Sequence, residues 1–320
     1  MHTYDYDVLV VGSGFGGSVA ALRLSEKGYS VGVLEAGRRF TRESLPKNSW
    51  DVRNYLWAPA LGLYGIQRIH LLNNVMILAG AGVGGGSLNY ANTLYVPPPA
   101  FFQDRQWGHI TDWQDELRPY YDQAQRMLGV RLNPTMTPSD VHLKAAADAM
   151  GCGDTFHLAP VGVFFGDGRD AVPAGDGDAG EDGPAAADGE TAAGGPRAEP
   201  GAEVPDPYFG GAGPARRACT ECGECMTGCR RGAKNTLTEN YLHLAERAGA
   251  VIHPMTTVID VREDAAPDPA APESGAADGG ERAGGTDEAG GERGFVVTVV
   301  PTDARRGRGA RRRGARGAAD

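Results

Sequence analysis

Residues 8–35, VLVVGSGFGGSVAALRLSEKGYSVGVLE, set the tightest limit on what this chain can fold into. Val8-Leu-Val-Val11 is a continuous apolar run, the pattern of a strand buried on both faces. A glycine-rich turn follows. Residues 18–27 (SVAALRLSEK) then read as a helix, with Val19, Ala20, Leu22 and Leu24 as inward positions. Gly28 stands where a C-terminal glycine cap belongs. Residues 29–35 (YSVGVLE) read as a second short strand. Two parallel strands need a crossover of this kind, so the unit is βαβ and the fold class is α/β.

The turn itself, Gly12-Ser-Gly14-Phe-Gly-Gly17, matches G-x-G-x-x-G. The first glycine permits the tight turn. The second lets the backbone approach a pyrophosphate, and the third lets helix and strand pack closely. The helix start offers free N–H groups and the positive end of the dipole to phosphate oxygens. Glu35, closing the second strand, is placed to bind a ribose hydroxyl. An acid there favours an adenosine ribose without a 2′-phosphate, as in FAD or NAD. A glycine turn alone can bind nothing, but strand, helix and terminal acid together point to a dinucleotide. A second run, Gly80-Ala-Gly-Val-Gly-Gly-Gly-Ser87-Leu-Asn89-Tyr-Ala-Asn92, lets backbone lie flat against a large ligand, with Ser87, Asn89 and Asn92 as polar contacts.

In their order, VGSGFGGSVAALRLSEKGYSVGVLEAG, GAGVGGGSLNYAN and WQDELRPYYDQAQRMLG resemble the glucose–methanol–choline flavoprotein family. Within it, GVGGGSL and ECMTGCRRGAKNTLTENYLHLAERAGA are similar to the cholesterol-oxidase-like branch. The resemblance covers residues 5–164 and 208–262. It implies a Rossmann-like FAD-binding domain of that family's type, with FAD as cofactor. Gly12, Gly14 and Gly17 would face the pyrophosphate and Glu35 the adenosine ribose. Gly82, Gly84, Gly85, Gly86 and Ser87 would run along the diphosphate and flavin, with Asn89 or Asn92 near the isoalloxazine. Val258 would present its backbone to adenine. The resemblance also implies oxidation of the hydroxyl of a sterol or similar apolar alcohol, with hydride passing to flavin and oxygen as acceptor.

The family's catalytic histidine and asparagine lie in a C-terminal region with no counterpart here, so no catalytic residue is named. Each of the seven histidines reads as surface or packing. Residues 294–303 (GFVVTVVPTD) read as a strand, after which ARRGRGARRRGARGAAD lacks the apolar spacing of a sheet strand. The expectation is a C-terminally truncated or frame-shifted chain, hence an incomplete fold; a basic tail for nucleic acid or acidic lipid is the alternative. Two further readings stand beside the enzyme. One is a non-catalytic flavin-binding fragment. The other is an alcohol dehydrogenase passing electrons through an iron–sulfur cluster.

Charge lies in tracts. Residues 166–207 carry −9, residues 263–293 carry −7 and residues 304–320 carry +6, so the net −10 leaves the remainder neutral and names no partner. No nucleic acid is expected. The two acidic tracts hold little but Gly, Ala, Pro, Asp and Glu and are expected to be disordered inserts. The organisation expected is a first part of the FAD-binding domain (1–164), an insert (165–207), a second part with the cysteines (208–262), an insert (263–293), and a strand remnant with basic tail (294–320). Helices are expected over 112–130, 139–150 and 235–248, and strands at 251–252 and 257–261. Trp50, Trp57, Tyr64 and Ile66 suit core packing or an apolar entrance. No stretch approaches a membrane span, no secretory signal is visible, and five cysteines suit a reducing compartment, so a cytoplasmic location is expected.

Cys219, Cys222, Cys225 and Cys229 follow C-x2-C-x2-C-x3-C, the spacing of bacterial ferredoxins. Arg230 replaces the proline that follows in those proteins, and no second cysteine set exists. A compact turn with packed thiols is the reading preferred, with a cluster or a structural zinc as alternatives.

Overall fold

Val8–Val11 (β1), Phe15–Glu26 (α1) and Val31–Leu34 (β2) form the βαβ unit that the glycine turn calls for. The computed structural model describes residues 4–166, 198–264 and 294–304, with the backbone of 313–318. β1 and β2 run parallel, Val8 opposite Val31 and Val11 opposite Leu34. α1 buries Ser18, Ala21, Leu22 and Ser25, an i, i+3, i+4, i+7 stripe. Ala20 and Leu24 flank that stripe and pack on the core, but Val19 faces outward, which corrects its assignment as an inward position.

Gln67–Leu71 (β3) and Met76–Gly80 (β4) form an antiparallel hairpin whose far end exposes Leu71, Leu72 and Val75. Trp113–Met127 (α2) carries Pro119 inside and is capped by Asp112, whose carboxylate accepts from the Asp115 N–H. Pro138–Ala149 (α3) begins at a capping box between Thr137 and Asp140. Glu203–Val204 (β5) pairs antiparallel with Arg216–Arg217 (β6). Tyr241–Arg247 (α4) is shorter than the helix expected over 235–248. Leu237–Glu239 forms a separate 3-10 turn, and Asn240, at φ −141° and ψ −97°, breaks the run.

Val251–His253 (β7) pairs parallel with the other side of β2, giving the sheet order β1-β2-β7. Thr256–Asp264 (β8) and Gly294–Pro301 (β9) are antiparallel, and Arg313–Ala318 (β10) adds beside β9. The core gathers α1, α4 and the parallel sheet around Leu22, Val31, Val33, Leu237 and Leu242, all essentially inaccessible. Burial of each such aliphatic side chain stabilises by about 1.5–3 kcal/mol relative to exposure.

Three further expectations change. Residues 198–207 were assigned to a disordered insert, yet they carry β5, and Phe165 is buried against Val161 and Val163. A two-residue ladder needs only backbone groups, and Ala218 N–H donates to Ala202 O to extend it. The arginine-rich end was judged unable to enter a sheet, yet residues 313–318 pair with β9. An edge position requires hydrogen bonding along one side only, so missing apolar alternation does not forbid it. Trp50 lies outside the core, 88% exposed, whereas Ile66 is fully buried. The tracts 167–197 and 265–293 lie outside the described residues.

Candidate functional site

Gly12 takes φ +91°, a backbone conformation that side chains resist, and its N–H donates to Leu34 O at 2.8 Å. This pins the turn to the end of β2. Gly17 serves packing: a Cβ there would run into the Gly12 carbonyl and lie 3.2 Å from Val10 Cγ1. A Cβ on Gly12 or Gly14 would meet no protein atom within 4 Å. Those two glycines therefore leave space that the protein does not fill.

The second glycine run closes against the first. A Cβ on Gly85 would sit 2.8 Å from Gly14 Cα. Ser13 joins the two runs. Its hydroxyl donates to Glu35 Oε2 at 2.7 Å and accepts from the Gly84 N–H at 3.1 Å. Ser13 N–H donates to the same oxygen at 3.0 Å, and Gly37 N–H donates to Oε1 at 2.8 Å. These three bonds fix the buried Glu35 carboxylate and fill three of its roughly four lone-pair sites. Sequence reasoning passed over Ser13. Its signal was a hydroxyl between the glycines of a turn that faces an acid at the next strand's end.

Between these loops runs an open groove of about 810 Å³. Its lining includes Glu35, Thr257 and Val258, the glycines Gly12, Gly14, Gly85 and Gly86, and Asn89 and Tyr90. Thr256 N–H donates to Glu35 O, and Glu35 N–H to His253 O, so β8 is held against the end of β2. The β8–β9 register shifts between Val258 and Asp260, a bulge beside the groove. Asn89 Nδ2 donates to Gln67 Oε1 at 2.9 Å, and both residues line the groove. Arg68 also lines it, with a buried Nε that has no partner among the described residues.

Of the residues named from sequence, Gly12, Gly14, Glu35, Gly85, Gly86, Asn89 and Val258 meet at this groove. Gly17 stands behind it. Gly82 packs against Arg38 O and Phe40, and Gly84 gives its N–H to Ser13. Ser87 is buried, donating to Gly84 O at 2.7 Å and accepting from Leu237 N–H at 3.0 Å, so it ties the run to the core. Asn92 faces away: at φ +66° its amide donates to Cys225 Sγ at 3.2 Å.

A second cavity, about 210 Å³, is lined by Cys219, Cys222, Cys225 and Cys229 together with Asn92 and Lys234. Lys234 is 1% exposed. Its ammonium donates to Leu88 O, Tyr90 O and Cys225 O at 3.0, 3.0 and 2.7 Å, and burial pulls its pKa down to about 8. Burial pushes the Cys219 thiol up to about 11. It raises Cys225 too, against the opposing Asn92 amide. No described histidine lines either cavity. Among the described residues, no three His, Cys, Asp or Glu side chains converge on a single-ion position.

A family profile described as an NAD(P)-binding Rossmann-like domain matches residues 10–51. The chain is 65% identical over 255 residues to a cholesterol oxidase of Mycobacterium tuberculosis, covering 79% of this chain and 39% of that protein. It is 44% identical over 262 residues to a cholesterol oxidase of Acinetobacter baumannii, covering 82% of this chain and 42% of that one. A 2-methyl-1,2-propanediol dehydrogenase of Mycolicibacterium austroafricanum is 31% identical over 142 residues, 39% of this chain and 24% of that protein. The chain thus spans about two fifths of the length of the cholesterol oxidases it matches. Over that shared stretch, it belongs to the glucose–methanol–choline flavoprotein family, on the cholesterol-oxidase-like branch.

Proposed function

We propose that the groove holds FAD and that the chain is the cofactor-binding part of an oxidoreductase acting on the hydroxyl of a sterol or similar apolar alcohol, with oxygen as acceptor. One observation carries the binding step: two glycine runs meet at Gly14 and Gly85 and leave their open side on a groove that reaches from Val258 to Asn89. The names of the M. tuberculosis and A. baumannii relatives support the substrate class. The binding unit is assembled from residues 1–164 and 208–262, with the cofactor between them. A cytoplasmic setting fits five unpaired thiols, and no described helix is long and apolar enough to cross a membrane.

The residues divide the work of binding. The first turn of α1 offers N–H groups without helical partners to a diphosphate. Gly12 and Gly14 let those oxygens reach the backbone. Glu35 has one acceptor direction left for a ribose hydroxyl, and the Val258 segment supplies backbone groups to adenine. Asn89, steadied by Gln67, and Tyr90, edge-on to Phe15 at 6.4 Å, form the wall at the other end. When bound, FAD supplies the two-electron acceptor for alcohol oxidation.

Titration of the flavin-free chain with FAD, followed by flavin fluorescence, tests the reading. The expected result is saturable quenching at one FAD per chain that excess NAD does not reverse. No quenching, or displacement by NAD, would overturn it. Steroid-dependent peroxide release from the flavin-loaded protein tests the substrate class separately.

A further inference from the structure

We propose that Cys219, Cys222, Cys225 and Cys229 hold a four-iron cubane iron–sulfur cluster in the cavity beside the dinucleotide groove. All four cysteines line one space of about 210 Å³, with Cys219 and Cys229 seated against the Val161, Val163 and Phe165 cluster and Cys222 exposed at its rim. A water's share of liquid volume is about 30 Å³, so the space takes a group several times larger. Zinc needs four sulfurs about 2.3 Å from one point, and no three ligands here converge on one. A cubane carries its thiolates on four separate irons, so sulfurs spread around a cavity are what it requires.

Hydrogen-bond donors already face the sulfurs. Glu221 N–H lies 3.3 Å from Cys219 Sγ. Ala233 and Lys234 N–H lie 3.3 and 3.4 Å from Cys229 Sγ, and Asn92 Nδ2 lies 3.2 Å from Cys225 Sγ. Such donors stabilise cluster sulfur and set its potential. The chain between the cysteines is wound by left-handed residues, Glu221 at φ +54°, Gly223 at +71° and Gly228 at +83°.

Charge gives an independent argument. Lys234 is buried with three carbonyl acceptors, and no carboxylate pairs with it among the described residues. Arg230 and Arg231 line the cavity together with Glu221 and Glu224, so those charges balance and Lys234 alone carries the argument. A buried cation without a counter-anion is costly, and a cluster with four thiolates is anionic. Assembly balances as two ferrous ions, two ferric ions and four sulfides forming the core, while the four thiols release protons to water as iron–thiolate bonds form. The two cavities draw on the same two segments. Tyr90 and Ala91 line the groove while Asn92 lines the cysteine cavity, and Met226 lines the groove while Cys225 lines the cavity.

The test is anaerobic reconstitution of the full chain with ferrous iron, ferric iron and sulfide, followed by desalting, metal and labile-sulfide analysis, and low-temperature electron paramagnetic resonance after dithionite. Bound FAD is assayed on the same samples. The parent chain and Cys152→Ser, a cysteine outside the cavity, are expected to retain about four iron and four sulfide per chain and give the signal of a reduced cluster. Cys222→Ser and Cys225→Ser are expected to lose at least half the iron. Iron below one per chain in the parent, with or without FAD bound, overturns the proposal, as does stoichiometric zinc. Full iron retention in both cavity variants overturns it as well. A cluster-loaded chain that fails to quench added FAD in the titration above would sink the groove reading and leave this one standing.

Discussion

One methyl group placed at Gly14 or at Gly17 is expected to have opposite consequences. At Gly17 the new Cβ has no room. It falls on the Gly12 carbonyl and against Val10 Cγ1 at 3.2 Å, and both belong to the turn and strand that α1 must pack upon. Backbone cannot swing aside as a side chain does, so the cost lies at the upper end of overpacking, about 3 kcal/mol. For a chain of this size that lowers the midpoint of the flavin-free protein by about 6–12 °C. At Gly14 the Cβ meets nothing within 4 Å, and φ is −70°, which any residue adopts. Stability of the flavin-free chain should change by less than about 0.5 kcal/mol, or rise slightly as the unfolded chain loses freedom.

The same Gly14 methyl projects into the groove. It displaces a diphosphate by enough to lose one hydrogen bond to a charged oxygen, about 1.5–3 kcal/mol, or roughly a 10- to 150-fold weaker FAD complex. Urea unfolding of the flavin-free variants and FAD titration by fluorescence separate the two effects. Equal destabilisation by both variants would refute the assignment of packing to Gly17 and ligand space to Gly14. So would wild-type FAD affinity in Gly14→Ala.

Ser13→Ala removes a charge-assisted bond to Glu35 and leaves the Gly84 N–H unpaired; urea unfolding should show a loss of about 2–4 kcal/mol. Asn89→Ala should leave the unfolding midpoint within a few degrees and weaken FAD several-fold by fluorescence, since the Asn89 side chain meets the ligand space and, among the described residues, donates to Gln67. Asp206 is held below the usual carboxylate range: partial burial opposes this, but backbone N–H groups of Tyr208, Gly213, Phe209 and Gly211 outweigh it. Its stabilisation is therefore complete above the unfolded value of about 3.9 and is lost as pH falls through the lower folded value. The thermal midpoint of Asp206→Asn should lie below the parent's at about pH 6, with the gap closing toward about pH 2; a constant gap would count against this account.

The βαβ unit was legible because each of its signals is local. A four-residue apolar run, a glycine turn and a terminal acid need no distant partner to be read. Val258 also came from sequence, but through resemblance, since nothing local marks a bulge that only the β8–β9 register creates. Ser13 and Lys234 were not legible. Ser13 acts through Gly84, and Lys234 through Leu88, Tyr90 and Cys225, and such long-range pairings leave no periodicity. Asn240 was missed for another reason. A break in backbone dihedrals splits a run whose apolar spacing continues through it.

The stretch Ser87–Asn92 shows how much a shared motif can conceal. Read as a line, Ser87, Asn89 and Asn92 look like successive polar contacts to one ligand. Folded, they serve three environments. Ser87 turns inward and takes the Leu237 N–H, fixing the glycine run to the core. Asn89 reaches across to Gln67 on the groove wall. Asn92, forced through φ +66°, crosses to the cysteine cavity. Only Ser87 lies within the 3-10 turn Gly85–Leu88; Asn89 closes it and Asn92, at positive φ, lies beyond it, so no one helical face carries all three. Lys234 then reaches the carbonyls of Leu88 and Tyr90 from behind. The ligand groove and the cysteine cavity are thus two sides of one short segment, and a substitution at Lys234 should disturb both.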